Sequence, residues 1–149
     1  MTIVLNHTIV PAADRQAAAT FFADLLGLTV GGQIGPFAPV RVNDDLTLDF
    51  DDRVTVVPGH YGFLVDDDTF DALLRRLARR PEVDFGSGVE HGWDRAVNQL
   101  AGGGGGGGVD PAPGGPGGDH GGYRGANPPR GGRGVYARPP HGHSYEFFT

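Results

Sequence analysis

The sequence predicts an α+β fold made of two successive units, each running strand, helix, then several short strands. Three observations predict it. Apolar residues recur at helical spacing in two separate stretches, and several short runs alternate apolar with polar side chains. The order strand, helix, strands also occurs twice, with little identity between the copies.

In the first unit, residues 2–10 are rich in Ile, Val and Leu, and Pro11 ends the run. Asp14 is placed to cap a helix whose apolar stripe is Ala18, Phe21, Phe22, Leu25 and Leu26, and Gly27 supplies its stop. Residues 28–34, 37–43 and 46–50 follow as β-like stretches. Asn43, Asp44 and Asp45 read as the turn between the last two.

The second unit opens with a strand over residues 60–65. Asp66, Asp67 and Asp68 then crowd a helix N-terminus, where negative charge suits the dipole. Phe70, Leu73, Leu74 and Leu77 form the buried stripe, Arg79 and Arg80 suit the C-terminal end, and Pro81 closes it. Short strands are expected at 83–85, 134–138 and 144–148.

A Gly/Pro-rich tract at 102–134 interrupts this unit and holds 17 of the 27 Gly and five of the 12 Pro. Its composition predicts a disordered loop, and would also permit a flexible cover over a site. It lacks a Walker lysine and does not run from a strand into a helix, so it is not a phosphate loop. The 149 residues suit one domain, with a first module at about 1–57 and a second at about 58–149 that carries the tract.

Composition excludes several function classes. Without cysteine there is no disulfide scaffold, thiolate zinc site or cysteine nucleophile, so any metal must sit on His and carboxylate. The net charge of −6 argues against a nucleic-acid partner. No apolar run approaches the ~20 residues that span a bilayer, so no membrane association is expected. The N-terminus lacks the basic start and small-residue cleavage site of a signal peptide, and a cytoplasmic protein is the expectation. Every basic residue is Arg, and acidic residues are 15 Asp against three Glu. One of those Glu, Glu146, lies inside the apolar C-terminal strand.

Strand parity sharpens that observation, because side chains two apart share a face. His60, Gly62 and Leu64 oppose Tyr61, Phe63 and Val65; Ser144, Glu146 and Phe148 oppose Tyr145 and Phe147. Thr47, Asp49 and Asp51 likewise oppose Leu46, Leu48 and Phe50. Each strand thus pairs an apolar face with one bearing ionisable residues. His7 shares its side with Leu5 and Ile9. Taken singly, each histidine reads as a hydrogen-bonded structural residue; together, His7, His60 and Glu146 make a two-His, one-carboxylate set with open positions for a substrate.

Other candidates are weaker. His141 and His143 flank a Gly on an expected solvated turn, and His91 and His120 sit in loops. Trp93 reads as a plug for an apolar patch. Asp44, Asp45, Asp51 and Asp52 read as solvated residues flanking the first hairpin. The two serines, Ser87 and Ser144, make no nucleophile elbow.

The stretches LNHTIV, FFADLLGL, GHYGFLV and GGRGVYARPPHGHSYEFF resemble the vicinal oxygen chelate superfamily, which includes glyoxalase I, fosfomycin-resistance thiol transferases, extradiol dioxygenases and bleomycin-binding proteins. The likeness covers most of residues 3–85 and 131–148. It implies two βαβββ modules whose roughly eight strands form a cupped mixed sheet around a divalent metal, with the helices outside. Carried over by position, the ligands fall on His7, His60 and Glu146. A fourth, a Glu in glyoxalase I, falls on Asp49, one methylene shorter. The family's Asp-Pro-Asp-Gly-His turn is here Pro139-Pro140-His141-Gly142-His143, and Ala137 replaces a common aromatic.

The resemblance implies an enzyme whose cation (Mn, Zn, Ni or Fe(II)) acts as a Lewis acid on a small substrate with vicinal oxygens, in glyoxalase-like isomerisation or fosfomycin-type transfer of a thiol cosubstrate. The alternatives are an Fe(II) extradiol dioxygenase and a non-catalytic, bleomycin-type drug-binding resistance protein. Proton transfer is open to His143, Tyr61 or Tyr136. The family also implies a homodimer, with each site within one chain or shared between two.

Overall fold

The computed structural model describes residues 1–88, 92–99, 132–139 and 142–149. The fold is α+β, and in the first module each element answers to a local cause. β1 (His7–Pro11) leads to α1 (Arg15–Leu26). The Asp14 side chain caps that helix by accepting the Ala17 N–H, and Gly27 ends it in the left-handed conformation at φ 71°. β2 (Ala38–Arg41) and β3 (Thr47–Asp51) follow as a hairpin. Asn43 Oδ1 accepts the Asp45 and Leu46 amides and so builds its turn.

Two expected stretches come out shorter. β1 begins only at His7 because its ladder partner β3 begins at Thr47. Ile3 and Leu5, which precede it, are exposed. Residues 28–34 form only isolated bridges, Val30 to Val40 and Ile34 to Phe37, since Gly31, Gly32 and Gly35 leave little side chain to pack there.

The second module repeats the order with β4 (His60–Leu64) and α2 (Asp67–Ala78), the helix capped by Asp66 through the Thr69 amide. β5 (Asp84–Gly86), β6 (Asn98–Gln99), β7 (Arg133–Arg138) and β8 (Ser144–Phe148) complete it. The two-residue β6 escapes the sequence pattern because it is too short to show alternation. Arg133, at the start of β7, is bonded to Asp67 and Asp71 of α2 and lies 4.6 Å over the Phe70 ring. The rest of the Gly/Pro-rich tract, residues 102–131, lies outside the described residues.

Among the described residues the strands form two hydrogen-bonded sheets. The first has the order β1-β3-β2; the second has β4-β8-β7-β5, with β6 on β7. In each, the module's opening strand runs parallel to its last strand: β1 beside β3 and β4 beside β8. Among the described residues both opening strands are therefore sheet edges, with one side unpaired.

The two modules share their core. Phe22 of α1 is fully buried, 6.1 Å from Phe50 of the first sheet and 5.3 Å from both Phe63 and Tyr145 of the second. Aromatic pairs at such spacing add to plain area burial. Phe22→Ala should cost about 3–5 kcal/mol of stability in urea titration, and one cooperative transition should shift as a whole because the ring serves both halves.

Asp51 departs from the solvated role read in the sequence. It is 2% exposed, and both its carboxylate oxygens accept from Arg53 at 3.0 Å. Its backbone carbonyl receives the Ala12 amide, so it fastens the end of β3 to the chain leaving β1. The bonds from the Arg53 side chain and amide hold its carboxyl below the usual carboxylate range. A depressed folded value stabilises above the unfolded pKa of about 3.9, and that stability fades as pH falls through the folded value. Asp51→Asn should therefore be less stable than the parent at pH 7, and the gap between their urea midpoints should close as pH drops below about 4.

Candidate metal centre

Ladder register brings histidine and carboxylate together. His60 stands opposite Ser144, and Gly62 opposite Glu146, so His60, Ser144 and Glu146 share one face of the second sheet. Tyr136 joins them from β7, opposite Glu146. The alternating burial of β4 and β8 leaves Tyr145 and Phe147 facing the core, as parity predicts.

The geometry is close. His60 Nε2 donates to Glu146 Oε2 at 2.9 Å, and the Tyr136 hydroxyl donates to Glu146 Oε1 at 2.9 Å. Both carboxylate oxygens are thus engaged in a group whose side chain is only 12% exposed, while the His60 side chain is 49% exposed. The Tyr136 ring meets the imidazole edge-on at 5.9 Å. Burial, then the bond and charge of Glu146, pushes the Tyr136 phenol far above its ordinary value, so it donates to Glu146 and holds its proton at neutral pH. Burial likewise raises Tyr61.

The first module repeats the arrangement in register. His7 stands opposite Thr47 and Ile9 opposite Asp49, so Asp49 lies two residues beyond the partner of its histidine, as Glu146 does. Here the pair is not closed: His7 Nδ1 is 3.1 Å from Asn6 Oδ1. Of the four predicted ligands the chain joins His60 to Glu146, and holds His7 and Asp49 on one face of the other sheet. Among the described residues, no group of three or more His, Asp or Glu could hold a metal ion.

The donor set on the second sheet fits a divalent cation. A neutral imidazole and a carboxylate are ligands for first-row ions, and bonds of ~2.1 Å set neighbouring ligand atoms ~3 Å apart in octahedral geometry. The Nε2 to Oε2 distance of 2.9 Å is that of a hydrogen bond, and it is also compatible with two ligands of one ion. Tyr136 supplies the outer hydrogen bond that orients a ligating carboxylate. Ser144 Oγ, on the same face, is buried with no hydrogen-bond partner among the described residues, leaving a donor for an incoming oxygen.

His143 was missed as a site-building residue. Far from a solvated turn, it is 2% exposed and hydrogen-bonded at both ring nitrogens. A turn histidine beside Gly142 carries no local sign of burial, because its partners are backbone atoms 84 and 132 residues away. Trp93 packs under the Arg138 guanidinium, 4.9 Å from its ring. His91, His120 and His141 lie outside the described residues.

Fold and site together describe two parallel-closed modules, each placing a histidine and a carboxylate on one sheet face. The chain is 34% identical to oxidase ChaP-H2, covering 100% of this chain and 94% of that one, with a TM-score of 0.68. It is 36% identical to oxidase ChaP-H1, covering 99% and 96%, with a TM-score of 0.71. A lactoylglutathione lyase from Agrobacterium tumefaciens shares the fold at 19% identity, covering 99% and 93%, with a TM-score of 0.59. No protein-family model matches the chain, and no curated protein does. The chain belongs to the vicinal oxygen chelate superfamily.

Tyr136→Phe keeps the ring and removes the bond to Glu146. Any divalent-metal affinity that the parent shows in isothermal titration should fall by about tenfold, with the fold intact by circular dichroism.

Proposed function

We propose that the chain is a metal-dependent oxidase acting on a small molecule with two adjacent oxygens. Its cation is held by His60 and Glu146 of one copy and His7 of a second. The observation that carries the reading is the His60–Glu146 pair, closed at 2.9 Å and braced by Tyr136. Kinship above 30% to two oxidases over nearly their whole length directs it towards oxidation. The isomerase and thiol-transferase readings rest on likeness of fold alone.

When bound, an iron(II) ion would supply Lewis-acid activation of the substrate oxygens and redox chemistry with dioxygen, since a two-His, one-carboxylate set leaves positions open for both. The chain's own residues would do the positioning. Tyr136 and His60 hold the two Glu146 oxygens in fixed directions, and the Ser144 hydroxyl faces the same space as a donor.

A second copy is supported by the placement of His7. It is exposed on β1, an edge strand, beside the exposed apolar residues Leu5 and Ile9. The open edge of β4 borders a cleft of about 460 Å³ lined by Leu28, Val42, Leu46 and Leu64 among others. An unpaired edge with apolar flanks is a template for another strand.

Anaerobic reconstitution with Fe(II), followed by metal analysis, tests the reading. The parent should bind one ion per chain, and His7→Ala, His60→Ala and Glu146→Ala should each lose it. Asp49→Ala should retain it, its carboxylate being one methylene short. Mixing His7→Ala with His60→Ala should regain one site per mixed dimer. A well-folded parent that binds no metal would end the enzyme proposal and favour a binding protein. If the His7→Ala and His60→Ala mixture regains no metal, the shared site is wrong.

A further inference from the structure

We propose that His143 is a positioning residue. It sets the strand bearing His60 against the one bearing Glu146, and ties both to the strand whose His7 serves the other copy's centre, by bonding Gly59 and Pro11 at the same time. Its Nδ1 accepts the Gly59 N–H at 2.9 Å, so that nitrogen is bare; its Nε2 therefore carries the hydrogen and donates to the Pro11 carbonyl at 2.6 Å. Gly59 immediately precedes His60. Pro11 closes β1, the strand that His7 opens, and His143 itself immediately precedes β8, which carries Glu146. One neutral imidazole thus reaches three strand ends.

The place matters because, among the described residues, no ladder joins the two sheets. The bond to Pro11 crosses between them. The bond to Gly59 acts within the second sheet, where Gly59 returns its carbonyl to the Ser144 amide at 2.8 Å. His143 and Ser144 therefore clamp Gly59 from both sides and fix where β4 starts against β8. A shift there changes the His60 to Glu146 distance directly. The ring is wedged edge-on against Tyr61 at 5.5 Å, and a side chain at Gly59 would come within 3.2 Å of that tyrosine. The absence of a Cβ at Gly59 leaves room for the Tyr61 ring beside the clamp.

The inference rests on the proposed metal site only in its Co²⁺ arm. The experiment compares the full-length parent with His143→Phe, which keeps a ring but no bonds; His143→Asn, which keeps the Gly59 acceptor; and His143→Gln, which keeps the Pro11 donor. Asp14→Ala, which removes the cap of α1, serves as a destabilised control away from the site. Nitrogen-15 NMR should show His143 protonated at Nε2 and bare at Nδ1. Amide exchange at Gly59 and Ser144 should quicken by about tenfold in His143→Phe and be restored in His143→Asn but not in His143→Gln. Co²⁺, used as an absorbing probe, should bind about tenfold more weakly to His143→Phe with an altered visible spectrum, and normally to Asp14→Ala.

The other ring tautomer would overturn the proposal. So would unchanged Gly59 exchange in His143→Phe, or the same Co²⁺ spectrum in His143→Phe and the parent. Equal changes in Asp14→Ala would reduce His143 to general stability and overturn it too. A parent that binds no Co²⁺ would refute the metal reading, while tautomer and exchange still decide the role of His143. If His143→Phe does not fold, His143→Asn and His143→Gln decide it by the same exchange measurement.

Discussion

The parallel register of β4 on β8 is the constraint on which the site depends. Gly62 lies opposite Glu146, and this converts a separation of 86 residues into a contact of 2.9 Å. Parallel neighbours cannot be joined by a tight turn, so the chain must leave the sheet, pack α2, build β5 to β7 and come back. The return strand then carries its odd residues, Tyr145 and Phe147, into the core. Because side chains alternate, burying those two aromatics sends Glu146 to the opposite face, where His60 already points. Packing energy, rather than affinity between imidazole and carboxylate, chooses the pairing.

The first module obeys the same rule with a different result. Its register places Asp49 relative to His7 as Glu146 is placed relative to His60. One pair is closed and braced by a tyrosine; the other is not, and its histidine turns to Asn6. The difference follows from a shorter carboxylate and from the neighbouring strand. β7 supplies Tyr136 beside Glu146, whereas β2 sets Pro39 beside Asp49. An internal repeat can thus preserve backbone geometry while its two copies diverge in chemistry.

Much of this was legible in the residues. Period-two alternation fixed which faces of β3, β4 and β8 are apolar, and capping residues Asp14, Asp66 and Gly27 marked the helix ends. What was not legible depended on distant backbone. His143 looks solvated because its partners, the Gly59 amide and the Pro11 carbonyl, leave no mark in the surrounding sequence. Asp51 looked like one more turn aspartate until Arg53 folded back on it. Residues 28–34 held enough Leu and Val to suggest a strand, but their glycines removed the side chains a ladder needs beside it. Pattern reports which side of an element is buried, not which backbone atoms arrive there from elsewhere.

The short ladder of β6 on β7 has a consequence for how this chain can change over time. Gln99 pairs with Arg133 and Asn98 with Gly134, so the polypeptide departs and re-enters at adjacent points, with Arg133 anchored to Asp67 and Asp71. The entropy of closing a segment whose ends already sit side by side grows only with the logarithm of its length, ~0.6 kcal/mol per doubling. Natural variation can therefore lengthen, trim or recompose residues 100–131 at small thermodynamic cost. At this junction, where Gln99 and Arg133 are already neighbours, inserted sequence is expected to cost little.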